Sequence, residues 1–319
     1  MLSTSIGDVA VLRLGLRVPF RGLDAREVVL WRGPVGWAEF SPFAEYADSR
    51  AVAWFRAMRA AGEHTFPAPR RTRVPVNATV PAVAAGRVHE VLALFPGCTT
   101  AKVKVAEAGQ TMGDDLDRLA AVRDALGTSG RVRVDANGAW DLAEARSRLP
   151  RYDRAAGGLE YVEQPCAAAD DLARLRRGVD VPVAADESIR LSDDPRAAAE
   201  AVDVVIVKVA PLGGVPAVLD LVAEIDRPVV VSSALDSSVG LAAGLALAAA
   251  LPDLPFACGL GTGALLADDV SDEPLLQHDG SLTVRPVVVS EQRLADLAVG
   301  DDRARWWVER IERVAAAAA

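Results

Sequence analysis

The stretch Thr100-Ala101-Lys102-Val103-Lys104-Val105 decides the fold and marks the candidate site. It has the composition of a buried strand, and the two-residue period of a strand puts both lysines on one face and Val103 on the other. Lysine is rare in this chain, since only three of its 35 lysine and arginine residues are lysine, the third being Lys208. A guanidinium does not release its proton near neutral pH, so we expect the three lysines to have a role that arginine cannot fill.

Outward from this stretch, short apolar runs alternate with helical segments. The predicted strands are Val74–Val80, Thr100–Val105, Val132–Asp135, Leu159–Glu163, Val181–Asp186, Val202–Val209, Pro228–Ser232 and Phe256–Leu260, with Asp114, Asp141, Asp170 and Asp193 as caps or first-turn acids of helices. Such alternation indicates a closed parallel barrel or a doubly wound sheet. No glycine-rich dinucleotide fingerprint follows the first strand, which favours the barrel.

The two ends of the chain have a different texture. The predicted elements are strands at Val9–Leu16, Glu27–Arg32 and Val35–Phe40 in an antiparallel meander, a helix at Ser49–Ala61, a proline-rich linker at Phe66–Pro75, and, after the barrel, a strand at Leu282–Val289 and a helix at Arg303–Val314. We expect the last two elements to return to the N-terminal meander.

Composition excludes several classes of function. With 51% hydrophobic and 25% charged residues the chain is globular, and a net charge of −9 leaves no basic footprint for nucleic acid. The longest apolar run, Val239–Leu251, falls short of the roughly 20 residues of a bilayer span and predicts a buried helix. Three widely spaced cysteines and no signal-peptide pattern predict a soluble, cytoplasmic protein without disulfides.

Acidic residues end three consecutive predicted strands. From Lys104 through Asp135, Glu163 and Asp186 to Lys208 the separations are 31, 28, 23 and 22 residues, each about one strand–helix unit. In a barrel these side chains meet at the mouth, where active sites lie. Three converging carboxylates favour a hard divalent cation such as Mg²⁺, with Mn²⁺ as a substitute. Any one of the acids could instead be a helix N-cap, but three in consecutive units favour a site.

The lysines supply the acid–base chemistry in this interpretation. A cation bound to a substrate carboxylate would stabilise the enolate formed when the adjacent carbon loses a proton. Lys104 is the predicted base, because Lys102 places a like charge beside it and partial burial also favours its neutral form. Lys208 approaches from the opposite side as a second acid–base group or as an electrostatic partner of the enolate.

Three more polar residues have open interpretations. Asn137 precedes Gly138 and could be a turn residue or a site residue. Ser232 and Ser233 precede a helix that begins near Ser237, so they could form an anion site or belong to the helix cap.

Taken together, the motifs resemble those of the enolase superfamily, in particular its muconate-lactonising subgroup. The matching residues are Lys102-Val-Lys104, Asp135-Ala-Asn137, Glu163-Gln-Pro165, Asp186-Glu-Ser188 and Lys208, and Gly36–Pro42 is similar to the capping domain of that superfamily. The resemblance implies a TIM-like, modified (β/α) barrel at 74–281. It also implies an α+β capping domain built from an N-terminal segment, 1–73, and a C-terminal segment, 282–319.

Within the subgroup the chain is most similar to the o-succinylbenzoate synthase family, through Gly259–Val270 among other features. The resemblance implies Mg²⁺-dependent syn-dehydration of a succinyl-hydroxy-cyclohexadiene carboxylate in menaquinone biosynthesis. Lys104 would take the proton and return it to the departing hydroxyl, while Asp135, Glu163 and Asp186 hold the metal. It also implies substrate contacts from Arg21, in the loop Pro19–Leu23, and from Gly261, although Arg21 alone could equally be a solvated loop residue.

The implied partner is a small-molecule carboxylate, with no nucleic acid or membrane, and the implied assembly is a monomer or a weak homo-oligomer. Three related activities remain open. An N-succinylamino acid racemase would use Lys104 and Lys208 as opposed bases, and a cycloisomerase would use the same groups on another substrate. A dipeptide epimerase is expected to carry an Asp-x-Asp motif where this chain has Gly261-Thr262-Gly263, which counts against it. A barrel that only binds a ligand is the alternative outside catalysis.

Overall fold

The computed structural model describes residues 1–318, and its N-terminal part is an antiparallel sheet covered by a helix. The strands lie side by side in the order β1 (Leu2–Thr4), β2 (Gly7–Phe20), β3 (Leu23–Arg32) and β4 (Trp37–Phe40), and α1 covers Asp48–Glu63. The predicted meander and helix are therefore confirmed. Apolar residues of the sheet and of α1, among them Trp54 and Phe40, face one another in a buried cluster.

A parallel sheet of seven strands forms the larger part, in the order β12-β11-β10-β9-β8-β7-β6. The strands are β6 (Ala78–Val80), β7 (Thr100–Lys104), β8 (Arg131–Asp135), β9 (Leu159–Glu163), β10 (Val183–Ala185), β11 (Val204–Lys208) and β12 (Val229–Ser232). The intervening helices are α2 (Val88–Leu92), α3 (Met112–Leu126), α4 (Leu142–Ala156), α5 (Ala169–Arg176), α6 (Glu187–Arg190), α7 (Pro195–Glu200), α8 (Val215–Ala223) and α9 (Ser238–Ala250). This is the curled sheet of a modified TIM barrel.

The eighth predicted strand, Phe256–Leu260, is not regular. Cys258 forms a parallel bridge with Val76, and Gly259 forms one with Ser232. Backbone hydrogen bonds from Asn77 N to Cys258 O (3.0 Å) and from Gly259 N to Val231 O (2.8 Å) accompany these bridges. The segment thus joins the two edges of the sheet, although it is too distorted to count as a strand.

The C-terminal part corrects one prediction. Instead of a strand over Leu282–Val289 there is a short β13 (Ser281–Thr283), and it pairs antiparallel with β5 (Arg73–Pro75), inside the predicted linker. Pro286 lacks a backbone N–H and limits further pairing beyond this point. The two helices that follow, α10 (Glu291–Asp296) and α11 (Asp301–Ala318), lie against the N-terminal sheet and α1.

The helix starts agree with the predicted acids except at one position. Asp141 caps α4 in a capping box with Glu144, and Asp114 closes the box of α3 with Thr111 as its cap. Asp170 lies in the first turn of α5. The cap of α7 is Asp194, whose carboxylate accepts hydrogen bonds from the Arg196 and Ala197 amides, and not the predicted Asp193, because Pro195 fixes the first helical position.

The apolar run around Val239–Leu251 forms the buried α9, as predicted. Within residues 1–318, every helix is too short or too polar to cross a bilayer.

Candidate active site

The predicted polar residues meet at the carboxyl ends of the parallel strands. Lys104 on β7 is in register with Asp135 on β8, and Asp135 with Glu163 on β9. Asp186 follows β10 directly, and Lys208 ends β11. All three carboxylates are almost completely buried. The strand spacing read from the sequence therefore brings these five side chains to one level of the sheet.

The carboxylates of Asp135, Glu163 and Asp186 form a ring at the strand ends, and each lysine ammonium is paired with at least one of them. Lys102 Nζ lies 2.7 Å from Glu163 Oε1 and 3.2 Å from Asp135 Oδ2. Lys104 Nζ lies 2.5 Å from Asp135 Oδ2, and Lys208 Nζ lies 2.5 Å from Asp186 Oδ2. Lys102 and Lys104 thus stand on one side of the ring and Lys208 on the other, as the sequence predicted.

Burial and neighbouring charges act differently on the three acids. Burial raises the pKa of Glu163 to about 7, and the nearby Asp135 and Asp186 charges add to this rise while Lys102 opposes it. For Asp135 the effect of burial is outweighed by Lys104 and Lys102, so its pKa lies well below the usual range. Lys208 and Arg190 similarly lower the pKa of Asp186. Glu163 is therefore the acid whose charge the protein compensates least.

Lys102 is held in its charged form. Burial alone would lower the pKa of its ammonium, but the carboxylates of Glu163 and Asp135 outweigh burial and raise it. Lys102 therefore places a permanent positive charge two residues before Lys104.

The donor set fits a hard cation. Asp135, Glu163 and Asp186 offer only oxygen donors, and Oε2 of Glu163 is buried without a hydrogen-bond partner among residues 1–318. An unpaired buried carboxylate oxygen is costly unless a cation or donor reaches it. As placed in residues 1–318, no three His, Cys, Asp or Glu side chains form a ready-made ion site, since ammonium groups lie between the carboxylates.

A chain of polar contacts links the two sides of the ring. Lys104 Nζ donates to Asn137 Oδ1 (2.7 Å), and Asn137 Nδ2 donates to Glu187 Oε1 (3.1 Å). Arg190 donates from Nη2 to Glu187 Oε1 (2.8 Å) and from Nε to Asp186 Oδ1 (3.2 Å). Asn137 has a positive φ of 46°, as turn residues often do, and it also lines the cavity above the strand ends.

The cavity above the ring contains most of the predicted residues and several others. Of the predicted set, Arg21, Lys102, Lys104, Asn137, Lys208, Ser232 and Ser233 line it, together with the unpredicted Phe20, Phe43, Tyr46, Trp54, Thr79, Glu187, Arg190, Pro211, Ala234, Leu235, Gly259 and Thr262. Glu187 and Arg190 could have been found from their position just after the strand end at Asp186. Phe43, Tyr46 and Trp54 carry no local signal, because they reach the cavity from the N-terminal part.

Gly261 is not among these lining residues, contrary to the prediction. A side chain there would meet the backbone oxygen of Asn77 at 2.8 Å and the ring of Phe95 at 3.5 Å. It therefore packs inside the molecule, while Gly259 and Thr262 on either side of it face the cavity. Both serines are hydrogen bonded to this same segment. Ser232 Oγ donates to Gly259 O (3.4 Å), and Ser233 Oγ donates to Gly259 O (2.8 Å) and lies 2.7 Å from Thr262 Oγ1.

The N-terminal hairpin brings an arginine to the cavity whose side chain has no ion-pair partner within residues 1–318. Arg21 has a positive φ of 53° in the tight turn between β2 and β3, and its guanidinium lies 4.4 Å from the ring centre of Phe43. The residue is solvent-exposed, and stacking on an aromatic face leaves the edge of a guanidinium open to an anion.

Comparison with known proteins agrees with this arrangement. The chain matches the family described as enolase C-terminal domain-like over residues 86–287 and the family described as enolase N-terminal domain-like over residues 11–62. It is 54% identical to the o-succinylbenzoate synthase of Mycolicibacterium smegmatis, with 94% of this chain and 93% of the relative covered. It is 57% identical to that of Thermobifida fusca, with 91% of each covered.

Solved structures with a similar fold are more distant in sequence. The muconate lactonizing enzyme of Pseudomonas fluorescens, complexed with muconolactone, has a TM-score of 0.76 at 20% identity, with 93% of this chain and all of that chain covered. The L-Ala-D/L-Glu epimerase of Bacillus subtilis has a TM-score of 0.72 at 19% identity, with 91% and 98% covered. At these identities the likeness concerns the fold.

Proposed function

The chain belongs to the o-succinylbenzoate synthase family, a dehydratase family of the enolase superfamily, and we propose how its own residues carry out the dehydration. The substrate in this proposal is a cyclohexadiene carboxylate that bears a hydroxyl group and a succinyl chain, and the product is o-succinylbenzoate for menaquinone synthesis. The observation that supports it most directly is the pair of lysines on opposite sides of a buried carboxylate ring, in a cavity with an exposed arginine at its rim.

In this proposal Lys104 moves the proton. Its Nζ takes the proton from the carbon next to the substrate carboxylate, and the C–H electron pair enters the ring system. The same ammonium then gives that proton to the departing hydroxyl on the same face, so the C–O bond breaks, water leaves and the ring becomes aromatic. Hydrogen bonds to Asp135 and Asn137 hold the Lys104 nitrogen in place for both steps.

Lys102 and Lys208 provide fixed positive charge. Lys102 is anchored by Glu163 and Asp135 and places its charge on the same face of β7 as Lys104. Lys208 faces the substrate from the other side and stabilises the negative charge that develops in the ring.

Asp135, Glu163 and Asp186 are proposed to hold the divalent cation, Mg²⁺ with Mn²⁺ as a substitute. When bound, the cation would supply charge stabilisation at the substrate carboxylate. Oε2 of Glu163, which is buried and has no hydrogen-bond partner in the described part of the chain, supports this assignment.

The succinyl carboxylate is proposed to meet Arg21. The side chain is exposed at the cavity rim and stacked on Phe43, and it has the planar donor geometry that a carboxylate matches. Ser232, Ser233 and Asn137 are proposed to contact the substrate from the barrel side, together with Gly259 in place of Gly261.

We also propose that the capping domain comprises 1–73 and 282–319 around a barrel at 74–281, in a cytoplasmic monomer or weak homo-oligomer. Hydrogen bonds from Arg13 N to Leu297 O (2.9 Å) and from Val299 N to Val11 O (3.1 Å) support the return of the C-terminal segment to the first sheet.

The test is turnover of the cyclohexadiene substrate by the purified protein with Mg²⁺, followed by chromatographic detection of o-succinylbenzoate. We expect formation of that product and loss of turnover after chelation of the metal. Absence of the product with fully folded, metal-supplied protein would exclude the proposal.

A second candidate is N-succinylamino acid racemisation, which is favoured by the opposed placement of Lys104 and Lys208 at the cavity. Incubation of an N-succinylamino acid in D₂O distinguishes it, since a racemase must exchange the α-proton. If the α-proton does not exchange, racemisation is excluded and dehydration is the remaining candidate.

A further inference from the structure

The N-terminal sheet β1–β4, called the capping sheet below, contacts the barrel at the N-terminus of α9. Glu39, on β4, is almost completely buried at this joint. Its Oε2 accepts hydrogen bonds from the backbone amides of Ser237 (3.1 Å) and Gly240 (3.2 Å) and from the Ser237 hydroxyl, and its Oε1 accepts one from Ser41 Oγ (2.6 Å). One carboxylate from the sheet thus satisfies two of the free amides that begin a barrel helix.

These contacts reproduce a capping box with its acid taken from another part of the chain. In a capping box the N-cap side chain bonds an amide of the first turn, and an acid at the third helical position reaches back to the N-cap amide. Ser237 is the N-cap of α9 and its Oγ accepts from the Val239 amide (3.2 Å). The third position is Gly240, which has no side chain, and Glu39 makes the missing bond instead.

Gly240 leaves the space that Glu39 needs. A Cβ at this position would lie 2.9 Å from Glu39 Cδ, 3.0 Å from Glu39 Oε1 and 2.7 Å from Asp236 Cβ. The backbone of Gly240 is helical, with no positive φ, so the backbone alone does not require glycine. The space occupied by Glu39 and Asp236 gives the reason for glycine here.

The same joint holds one wall of the cavity. Arg26 on β3 is buried and donates from Nε to Ala234 O (3.3 Å) and from Nη2 to Ser41 O. Asp236 Oδ2 accepts from the Ala234 amide (3.1 Å). Residues 232–235 line the cavity and lead from the end of β12 towards the start of α9. The capping sheet therefore fixes the position of this wall through the start of α9.

We propose that Glu39 and Arg26 are positioning residues: Glu39 completes the capping box of α9 from the capping sheet, Arg26 holds the Ala234 carbonyl, and together they set the 232–235 wall against the substrate. The substrate part of this inference rests on the proposed function, whereas the joint itself does not. Neither residue hydrogen bonds or pairs with a lysine or carboxylate of the ring. Their loss should therefore weaken substrate binding more than it slows proton transfer.

The first test needs no substrate and measures amide hydrogen exchange of the peptide 232–240 by mass spectrometry. We expect exchange at least tenfold faster in Glu39→Ala and in Gly240→Ala, and an intermediate rate in Glu39→Gln. Gly240→Ala separates loss of the Glu39 contact from a change in helix propensity. Alanine favours a helix more than glycine, so propensity alone would make exchange slower. The matched control is Glu27→Gln, since Glu27 bonds Arg303 and Trp307 and not the barrel.

The proposal would be overturned if the peptide 232–240 exchanged at the wild-type rate in folded Glu39→Ala or Gly240→Ala. It would also be overturned if Glu27→Gln increased the exchange rate of this peptide as much as Glu39→Ala does. If Glu39→Ala does not fold, Gly240→Ala decides the question, because it leaves the Glu39 side chain unchanged.

The second test is the division of the effect between KM and kcat. We expect Glu39→Ala to raise KM about tenfold with kcat within about threefold of wild type, and Glu39→Gln to recover most of the loss. A fall in kcat at unchanged KM would contradict a positioning role. If the wild-type protein itself forms no o-succinylbenzoate, the proposed function fails, and the exchange measurement still decides whether the joint exists.

Discussion

Lys104 lies where a lysine is required and an arginine is not a substitute. Its nitrogen is buried between Asp135 and Asn137, 5.5 Å from the centre of the Phe20 ring, in a space that suits a compact ammonium. A guanidinium is larger, planar and permanently charged. The surroundings of this residue thus give a physical reason why a chain with 32 arginines has a lysine at this position.

Replacement of this lysine by arginine tests the base directly. Lys104→Arg keeps the positive charge but removes the group that accepts a proton, so we expect kcat to fall about 10³-fold or more. The measurement is steady-state dehydration under saturating substrate and metal. Arg131→Lys, at the exposed opposite end of the neighbouring strand, is the control and should keep wild-type activity. A loss of less than tenfold in Lys104→Arg would remove Lys104 from the proposed mechanism.

Glu163 is the acid that we expect to depend most on a bound cation. Glu163→Gln removes a charged oxygen donor, so Mn²⁺ affinity should fall by at least about 100-fold, measured by titration with paramagnetic detection of free Mn²⁺. The increase in Tm that Mg²⁺ produces in the wild-type protein should disappear as well. Glu160→Gln, on the same strand but paired with Arg133 and Arg131, should retain both effects. Unchanged Mn²⁺ affinity in Glu163→Gln would contradict the assignment of this ligand.

At the scale of the element, the strands were predictable and some of their ends were not. The polar residues at the carboxyl ends followed from the two-residue period and from the length of one strand–helix unit, both of which are local. The cap of α7 lies one residue after the predicted Asp193, since Asp193 and Asp194 are equally good caps by type. The proline at the first helical position decides between them.

Those two neighbouring aspartates offer a matched pair of variants. Asp194→Ala removes two hydrogen bonds to helix amides and should lower the free energy of unfolding by about 1 kcal/mol, measured by urea denaturation. Asp193→Ala removes no cap and should change it by less than about 0.5 kcal/mol. Equal effects of the two substitutions would show that the cap contributes little here.

At the scale of the whole molecule, the C-terminal helix closes the first sheet. Trp307 on α11 is fully buried, packs edge-on against Phe40 at 6.2 Å between ring centres, and donates to Glu27 Oε2 (2.9 Å). Arg310 on the same helix donates to Phe43 O (3.2 Å) and to Tyr46 O, in the loop that reaches the cavity. The last helix therefore supports residues that line the site.

The contribution of this helix can be measured with adjacent tryptophans. Trp307→Ala should lower the free energy of unfolding by about 3–5 kcal/mol, because it leaves a large buried cavity. Trp306→Ala, which removes a partly exposed ring, should cost clearly less. Denaturant unfolding of both variants is the measurement, and a similar cost at the two positions would argue against the buried packing of Trp307.

The joint between the two parts should also respond to pH. Burial and the neighbouring Asp236 raise the pKa of Glu39 to about 7. Other charges act on the same groups. The charge of Arg26 acts on Glu39 and Asp236, that of Lys208 acts on Asp236, and those of Arg21 and Glu45 act on Arg26. Between the ordinary pKa of a glutamate and pH 7 the folded protein binds more protons here than the unfolded chain. The stabilisation is therefore present at low pH and is lost as the pH rises through about 7.

Comparison of wild type with Glu39→Gln isolates this effect, since glutamine does not titrate. Between pH 5 and pH 8, the free energy of unfolding of the wild type should fall relative to that of the variant by more than about 1 kcal/mol. Urea denaturation at both pH values measures it. A difference that is independent of pH would mean that Glu39 titrates as an ordinary exposed acid.

The alternation of strands and helices, the meander, and the ring of Asp135, Glu163 and Asp186 flanked by Lys104 and Lys208 could all be predicted from the sequence. These features follow from periods and spacings within one or two elements, where neighbours along the chain are neighbours in space. The tertiary structure alone decided that β13 pairs with β5, that Gly259 and not Gly261 faces the cavity, and that Glu39 caps a helix. Glu39 and Ser237 are 198 residues apart, and such contacts carry no local pattern because they exist only after the two parts of the chain have packed together.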